Sequence, residues 1–233
     1  MVAPAGFDED VRDPLPRGRH ALSRAQVAAS QRARLVRAMT DEVAERGLAT
    51  TTVAGVFQRA GVSSRAFYEH FNDLRDAFLA AYEACVDYVI EATLQPGRVW
   101  GGDPDDRGER DGGREGSLPG GRLPVFGAML HTYLRLVASR PNIARTFLVE
   151  VYAAGPEALR RRLEVHDRFV AGVAAVLAPD RRLDPWEALG VEALVDAITF
   201  RVTRLVVAEG LGDIDTLCQE LIVLTERLCP WVR

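Results

Sequence analysis

The sequence contains no lysine, although 29 of its 233 residues are basic. All 29 are arginines, whose planar guanidinium groups bind phosphate and carboxylate through paired hydrogen bonds. We attribute this bias to the coding composition of the genome rather than to function. Its chemical consequence is that every permanently cationic side chain of the protein is a guanidinium group.

Cysteine and long apolar runs are also scarce. The three cysteines, Cys85, Cys218 and Cys229, are odd in number and widely spaced, so they give no disulfide framework and no zinc pattern. No apolar run approaches the roughly 18 residues that a membrane helix needs. We therefore expect a reduced, cytoplasmic chain that makes no contact with a membrane.

Catalytic signatures are missing as well. The sequence has no HExxH, Gly-x-Ser-x-Gly, dinucleotide or phosphate-loop motif. Its four histidines, His20, His70, His131 and His166, lack the spacing of metal ligands. The sequence thus predicts no catalytic residue, no metal and no cofactor, and it favours a binding protein over an enzyme.

The charges are unevenly distributed along the chain. The formal net charge is -4, which argues against a generally basic nucleic-acid coat protein. However, residues 12–75 contain 11 arginines and six acids, whereas residues 76–233 contain 18 arginines and 24 acids. This pattern is expected if only the first part of the chain meets a polyanion.

Helical spacing dominates the apolar pattern, and no segment alternates as a strand would. The sequence predicts an all-α fold of about nine helices, the first capped by Ser30 and ending at Arg46. Later helices are predicted over about 124–139, 141–153, 156–178, 185–209 and 213–229. A Gly- and Pro-rich stretch over 96–122 is predicted to be a disordered loop.

Residues 51–71 have the pattern of a helix-turn-helix. Thr51 or Thr52 can cap a short helix that Gly61 ends, and Ser63 or Ser64 can cap a second one. Apolar residues recur on the inner faces at positions 53, 56, 60, 62, 67 and 71. In such a motif the second helix enters the DNA major groove. A purely structural helical hairpin is the alternative.

At these residues the chain resembles the TetR family of transcriptional regulators. The resemblance rests on about 45 contiguous residues, which contain the strings Leu35-x-x-Ala38-Met39, Gly47, Thr52-Val53-x-x-Val56, Ala60-Gly61-Val62-Ser63 and Phe67-Tyr68-x-His70-Phe71. It implies a flexible arm over 1–25, a DNA-binding domain over 26–73 and a ligand-binding and dimerisation domain over 74–233. A lysine that often follows the His-Phe pair in the family is Leu74 here, with Arg75 next to it.

The candidate DNA contacts come from the motif and its flanks. Arg65 can bind a guanine edge in a bidentate manner, and hydroxyl groups suit phosphate oxygens. The candidates are Thr51, Thr52, Ser63, Ser64, Arg65, Ala66, Tyr68, His70, Arg75 and, in the N-terminal arm, Arg17 and Arg19.

The resemblance also implies a homodimer that binds a palindromic operator through its two-fold axis. The last two helices would form the interface, and their apolar stripes could equally be intrachain core. The candidate interface residues are Val191, Val195, Ile198, Val202, Leu205, Leu217, Leu221, Leu224 and Leu228.

A pocket for a small effector is implied within the C-terminal helices. Its candidate lining is mostly aromatic, which suits a largely hydrophobic ligand, although each residue could be plain core. The candidates are Tyr88, Phe126, Met129, Tyr133, Phe147, Tyr152, His166, Phe169, Trp186 and Phe200. The cluster Arg160-Arg161-Arg162 is expected to be a solvated surface, with an acidic ligand or partner as the alternative.

Together these features predict a dimeric, ligand-responsive transcriptional regulator that represses until an effector releases it from DNA. Effector binding would change the relative placement of the two DNA-binding heads through helix 4. The alternative hypothesis is a helical small-molecule-binding or scaffolding protein whose DNA-binding head is vestigial.

Overall fold

The computed structural model describes residues 23–94, 121–208, 210 and 212–232. They form nine α-helices: α1 (Arg24–Arg46), α2 (Val53–Ala60), α3 (Ser64–His70), α4 (Leu74–Leu94), α5 (Arg122–Ser139), α6 (Pro141–Leu148), α7 (Pro156–Leu177), α8 (Pro185–Val207) and α9 (Ile214–Leu228). No strand occurs in these ranges, and the prediction of an all-α fold is confirmed. Over the same ranges, no helix is both long and apolar enough to span a bilayer.

The first helix begins before the predicted cap at Ser30. Ser23 accepts a hydrogen bond from the backbone N–H of Gln26 at 3.2 Å, and the Gln26 side chain accepts one from the Ser23 N–H at 2.8 Å. This reciprocal capping box satisfies two N–H groups that a helix start leaves unpaired. Ser30 therefore lies inside α1 rather than at its beginning.

Two other predicted boundaries were wrong. The helix predicted over 141–153 ends at Leu148, and a 3-10 turn follows over Glu150–Ala153. The break places the buried carboxylate of Glu150 where it accepts hydrogen bonds from the Leu48 N–H at 2.9 Å and from Arg145 Nε at 3.2 Å. In addition, Arg122 begins α5 instead of ending the loop predicted over 96–122. Residues 95–120 lie outside the described residues.

The chain divides into two compact units. The N-terminal unit comprises the residues up to Tyr88 together with Arg140–Leu163, and the C-terminal unit comprises Val89–Ser139 together with Glu164–Arg233. The N-terminal unit thus contains α6, which comes far later in the sequence than α1 to α3. The functional division at residue 73 stays a prediction.

In the N-terminal unit, α1 is the central helix and packs against both α2 and α6. Two polar contacts join α1 to α6: Asn142 Nδ2 donates to Asp41 Oδ1 at 2.6 Å, and Thr146 Oγ1 donates to the Thr40 carbonyl at 3.5 Å. The fully buried apolar residues of the unit include Leu35, Met39, Val43, Val56, Phe67, Phe78, Tyr82, Ile143 and Leu148. The interior face of α1 is therefore covered from two sides.

In the C-terminal unit, α9 packs against α5 and α8. Close approach is possible where glycine faces the neighbouring helix. A Cβ on Gly127 would lie 3.1 Å from Ile222 Cδ1, and one on Gly190 would lie 2.9 Å from the backbone oxygen of Leu228. The cap of α8 is also well defined, because Asp184 and Glu187 form a capping box and Arg181 binds the Glu187 carboxylate. These bonds hold the pKa of Glu187 at about 2.

The three cysteines are buried free thiols. Burial raises the pKa of Cys85 to about 12, although Thr40 lies 3.9 Å from its Sγ. A thiol with a raised pKa is a poor nucleophile and a poor metal ligand at neutral pH. These side chains therefore act as small core residues.

We expect Gly190→Ala to lower the free energy of unfolding by about 1–3 kcal/mol, because its methyl group meets backbone that cannot move freely. Gly172→Ala is the matched control. It is also a helix-interior glycine of this unit, but its nearest neighbour is the flexible tip of Leu94. Urea unfolding of the two variants measures the difference. Equal midpoints would contradict the close α8 approach to Leu228.

Candidate nucleic-acid interface

The start and the end of α2 are both fixed by local hydrogen bonds. Thr52 caps the helix, since its Oγ1 accepts from the Gly55 N–H at 3.1 Å. Gly61 ends it in the left-handed conformation, with φ +61°. Residues other than glycine adopt this conformation at an energetic cost, so the turn between α2 and α3 depends on this position.

Arg34 of α1 binds the end of α2. Its Nη2 donates to the carbonyl of Ala60 and, at 2.8 Å, to the carbonyl of Gly61. These carbonyls belong to the helix end, where no further N–H group follows to pair with them. A Cβ on Gly61 would lie 2.7 Å from the same Nη2, so a side chain here would displace the tip of Arg34 from its position at the helix end.

An ion-pair cluster fixes the middle of α2 to α1. The carboxylate of Glu42, whose residue is only 4% exposed, accepts from Arg59 Nε at 2.9 Å and lies 3.3 Å from Arg46 Nε. Arg59 also donates to Glu45 at 2.7 Å. These carboxylates raise the pKa of Arg59, and the Arg59 hydrogen bond lowers the pKa of Glu45. Arg59 is thereby held in place by two carboxylates of α1.

The third helix has one buried and one exposed face. Ser63 caps it by accepting from the Ala66 N–H at 3.1 Å. Phe67 is fully buried and its ring centroid lies 5.7 Å from that of Phe71, which Arg32 also contacts from above at 5.4 Å. This aromatic contact fixes which side of α3 faces outward.

The outward face of α3 presents Ser64, Arg65 and Tyr68. The Arg65 side chain is 89% exposed, and its Nε donates to Glu69 Oε1 at 2.9 Å, one helical turn away. An exposed ion pair of this kind contributes little stability, so a stronger acceptor can displace Glu69 at low cost. The exposed face therefore offers one strong bidentate donor and one phenol.

The two cap hydroxyls can also act as donors. Ser63 Oγ and Thr52 Oγ1 each accept a backbone N–H, which leaves the hydroxyl hydrogen able to donate to a phosphate oxygen. Both groups are exposed and stand at helix N-termini, where the helix dipole favours an anion.

Three of the sequence candidates are placed unfavourably for DNA. Thr51 is buried and its hydroxyl donates to the Gly47 carbonyl at 2.9 Å. Ala66 lies on the buried face of α3, and the Nε2 of His70 is buried without a hydrogen-bond partner among the described residues. The motif uses these positions for packing and internal hydrogen bonds, and their contacts with DNA stay predictions.

The flanking candidates differ in their surroundings. Arg75 is exposed at the start of α4, and its guanidinium lies beside Gly155, where a built Cβ would be 3.3 Å from Nη2. Arg17 and Arg19 lie outside the described residues. Sequence reasoning missed the structural roles of Arg34 and Arg59, because their partners lie 14 to 27 residues away and follow no motif.

The effector candidates are dispersed between core and surface. Phe126 and Phe147 are buried, whereas Tyr88, Met129, Tyr133, His166 and Phe169 are half-buried. Tyr152, Trp186 and Phe200 are exposed, so these three do not line an enclosed pocket of the single chain. His166 Nε2 lies 2.9 Å from Asp196 Oδ1 of α8.

The dimer candidates are mostly interior. Six of the nine are buried within their own chain, namely Val191, Val195, Ile198, Val202, Leu217 and Leu221. Leu205, Leu224 and Leu228 are half-buried. The apolar stripe noticed in the sequence is therefore largely intrachain core, and the exposed apolar residues of α8 lie on another face.

Comparison with known proteins agrees with the helix-turn-helix arrangement of α2 and α3. Residues 35–81 match the sequence model of the family described as bacterial regulatory proteins, tetR family. No curated protein matches the chain.

Solved structures share the fold at low sequence identity. A TetR-like transcriptional regulator from Rhodococcus is 18% identical with a TM-score of 0.63, covering 88% of this chain and 97% of its own. A TetR family regulator from Marinobacter aquaeolei is 20% identical with a TM-score of 0.58, covering 88% and 97%. The regulator FadR from Bacillus subtilis, solved in complex with stearoyl-CoA, is 15% identical with a TM-score of 0.63, covering 82% and 96%. Residues 35–81 therefore match the TetR family of bacterial regulatory proteins, and the chain shares the fold of TetR-like regulators.

Proposed function

We propose that the protein is a DNA-binding transcriptional repressor that a small molecule releases from a palindromic operator. The observation that supports this most directly is the outward face of α3, where Arg65 and Tyr68 are exposed on a helix whose start and turn are fixed. This face lies within the segment that matches the TetR family. The protein acts in the cytoplasm by binding, not by catalysis.

In this proposal α3 is the recognition helix. Arg65 leaves Glu69 and binds a guanine edge, while Tyr68 and the hydroxyls of Ser63 and Thr52 donate to phosphate oxygens. Phosphate contacts set the position of the protein, and the arginine distinguishes the sequence. Arg34 and Arg59 hold the motif together from inside and make no contact with DNA.

A homodimer is supported by the exposed face of α8. Trp186 is 81% exposed and Phe200 is 67% exposed, and Leu189 and Val207 are also exposed. At 100° per residue these four positions lie within about 60° of each other around the helix axis. Exposed apolar side chains that share one face of a helix typically mark an interface. A two-fold dimer places two recognition helices in successive major grooves, which requires a palindromic operator.

The response to an effector is supported by the composition of the N-terminal unit. Its segment Arg140–Leu163 contacts α1 through Asn142 and Thr146, and it contacts the turn after α1 through Glu150. A ligand that favours one arrangement of α6 and α7 can therefore change the position of the DNA-binding helices. A coupling of about 1–3 kcal/mol would alter operator affinity about 5- to 150-fold. FadR bound to stearoyl-CoA has a similar fold, and we propose a largely hydrophobic effector here.

We expect Arg65→Ala to lower the preference for the operator over a duplex with a changed base pair by about 5- to 150-fold, since one bidentate contact discriminates by 1–3 kcal/mol. Tyr68→Phe is expected to weaken binding to every duplex by about two- to tenfold, because it removes one phosphate hydrogen bond. Fluorescence anisotropy on operator fragments, selected from genomic DNA by their binding, measures both effects.

Arg135→Ala, which removes an exposed arginine of α5, is the control and should bind as the wild type does. If neither Arg65 nor Tyr68 affects binding, α3 is not the recognition helix. If the wild-type protein shows no salt-dependent preference for any duplex, the hypothesis of a vestigial DNA-binding head is correct instead.

We expect Phe200→Glu to raise the dimer dissociation constant at least about tenfold, because a charge would be buried in an apolar interface. Leu163→Glu, at an exposed apolar residue of α7, is the matched control and should leave the dimer intact. Sedimentation velocity distinguishes the two. Unchanged sedimentation of the Phe200 variant would exclude this face of α8 as the interface.

A further inference from the structure

Arg162 of α7 is a buried cation. The residue is only 6% exposed, and its Nε is buried without a hydrogen-bond partner among the described residues. Its guanidinium carbon lies 5.7 Å from the ring centroid of Phe147, whose ring stacks on that of Tyr82 at 6.1 Å. All three residues belong to the N-terminal unit.

The neighbouring arginines are in a different situation. Arg160 and Arg161 are exposed, and Arg161 Nε lies 3.6 Å from a carboxylate oxygen of Glu83. The expectation that Arg160-Arg161-Arg162 is one solvated surface is therefore correct for two residues and wrong for Arg162. Its neighbours one turn away on α7 are Ala158, Leu159, Val165 and His166, so its own helix supplies no acid.

An arginine stays protonated in a protein, so it cannot escape the energetic cost of burying a charge by becoming neutral. Removing a full charge from water is unfavourable, and a contact with one aromatic ring compensates only a small part of it. Buried charges are therefore normally paired. Within the described residues no carboxylate pairs with Arg162, so its counterion is expected to come from a bound molecule.

We propose that Arg162 binds the anionic group of the effector. This rests on the proposed function and refines it: the ligand has a carboxylate or phosphate group on an apolar body. An acidic ligand was the alternative that the sequence left open for the cluster Arg160-Arg161-Arg162, and the structure favours it for Arg162 alone. The guanidinium forms a bidentate pair with the anion. The apolar body packs against the aromatic surroundings of Arg162.

The position of Arg162 allows a bound anion to influence the DNA-binding helices through α6 and α1. Phe147, which Arg162 contacts, lies on α6 between Thr146 and Leu148, and Thr146 donates to the Thr40 carbonyl of α1. An anion that draws the guanidinium away from Phe147 changes the packing of α6 against α1. Ligand charge is thereby linked to the helix on which the recognition motif is built.

The test compares Arg162→Met with Arg160→Met in the full chain. Without ligand, Arg162→Met should raise the thermal midpoint by about 2–4 °C, because an unpaired buried charge is removed. Arg160→Met should leave it unchanged. A lower midpoint or failure to fold in the Arg162 variant would overturn the proposal, since it would mean that the chain itself already pairs this arginine.

The second measurement uses octanoate and octyl phosphate as anionic probes and octan-1-ol as the neutral probe. Wild-type protein and Arg160→Met should bind at least one anion about ten- to a hundredfold more tightly than the alcohol, and Arg162→Met should lose this preference. Whichever anion is preferred identifies the head group. Equal binding of all three probes by the wild type, or a preference retained by Arg162→Met, would overturn the proposal.

Operator binding is measured on the same preparations. Specific operator binding without any anion preference overturns this inference and leaves the proposed function intact. An anion preference that depends on Arg162, without specific binding to any duplex, overturns the proposed function and leaves Arg162 as an anion site.

Discussion

The orientation of the recognition helix depends on how the carbonyl groups at the end of α2 are satisfied. Arg34, on a different helix, donates to the carbonyls of Ala60 and Gly61, and Gly61 supplies the left-handed turn that follows. Without that donor two carbonyls would lose their partner at the point where the chain changes direction. The contact also fixes α2 relative to α1, so the start of α3 is fixed by the core rather than by DNA.

The local positive charge has two different uses. Arg34, Arg46 and Arg59 bind carbonyls or carboxylates within the motif, whereas Arg65 is exposed. A sum of charges over residues 12–75 therefore overstates the positive charge that is available to a polyanion. In the proposed function, specificity comes from the guanidinium of Arg65, and affinity comes from hydroxyls and helix N-termini, which make contacts that do not depend on sequence.

Local features were the predictable part of the structure. The all-α fold and the turn at Gly61 follow from residue types at fixed spacing, and the structure has both. The sequence also limited each cap to two residues, of which the structure uses Thr52 and Ser63. Features that depend on distant residues were not predictable. The burial of Arg162 within an arginine triplet, the pairing of Glu150 with Leu48 and the interior position of the stripe from Val191 to Val202 arise only when helices far apart in sequence pack together. Apolar periodicity identifies a buried face but does not say whether the partner is the same chain.

The membership of α6 in the N-terminal unit has a consequence for how this protein can be divided. Asp41, Thr40 and Leu48 all use groups from 142–150 as partners, and Ile143 and Leu148 are fully buried in the same unit. A fragment cut after α3 would expose one side of α1 to water and would leave the Leu48 N–H without its acceptor. The DNA-binding motif is contiguous in sequence, but the body that supports it is discontinuous. Exchanging the N-terminal unit between regulators would therefore require transplanting two separate segments of chain.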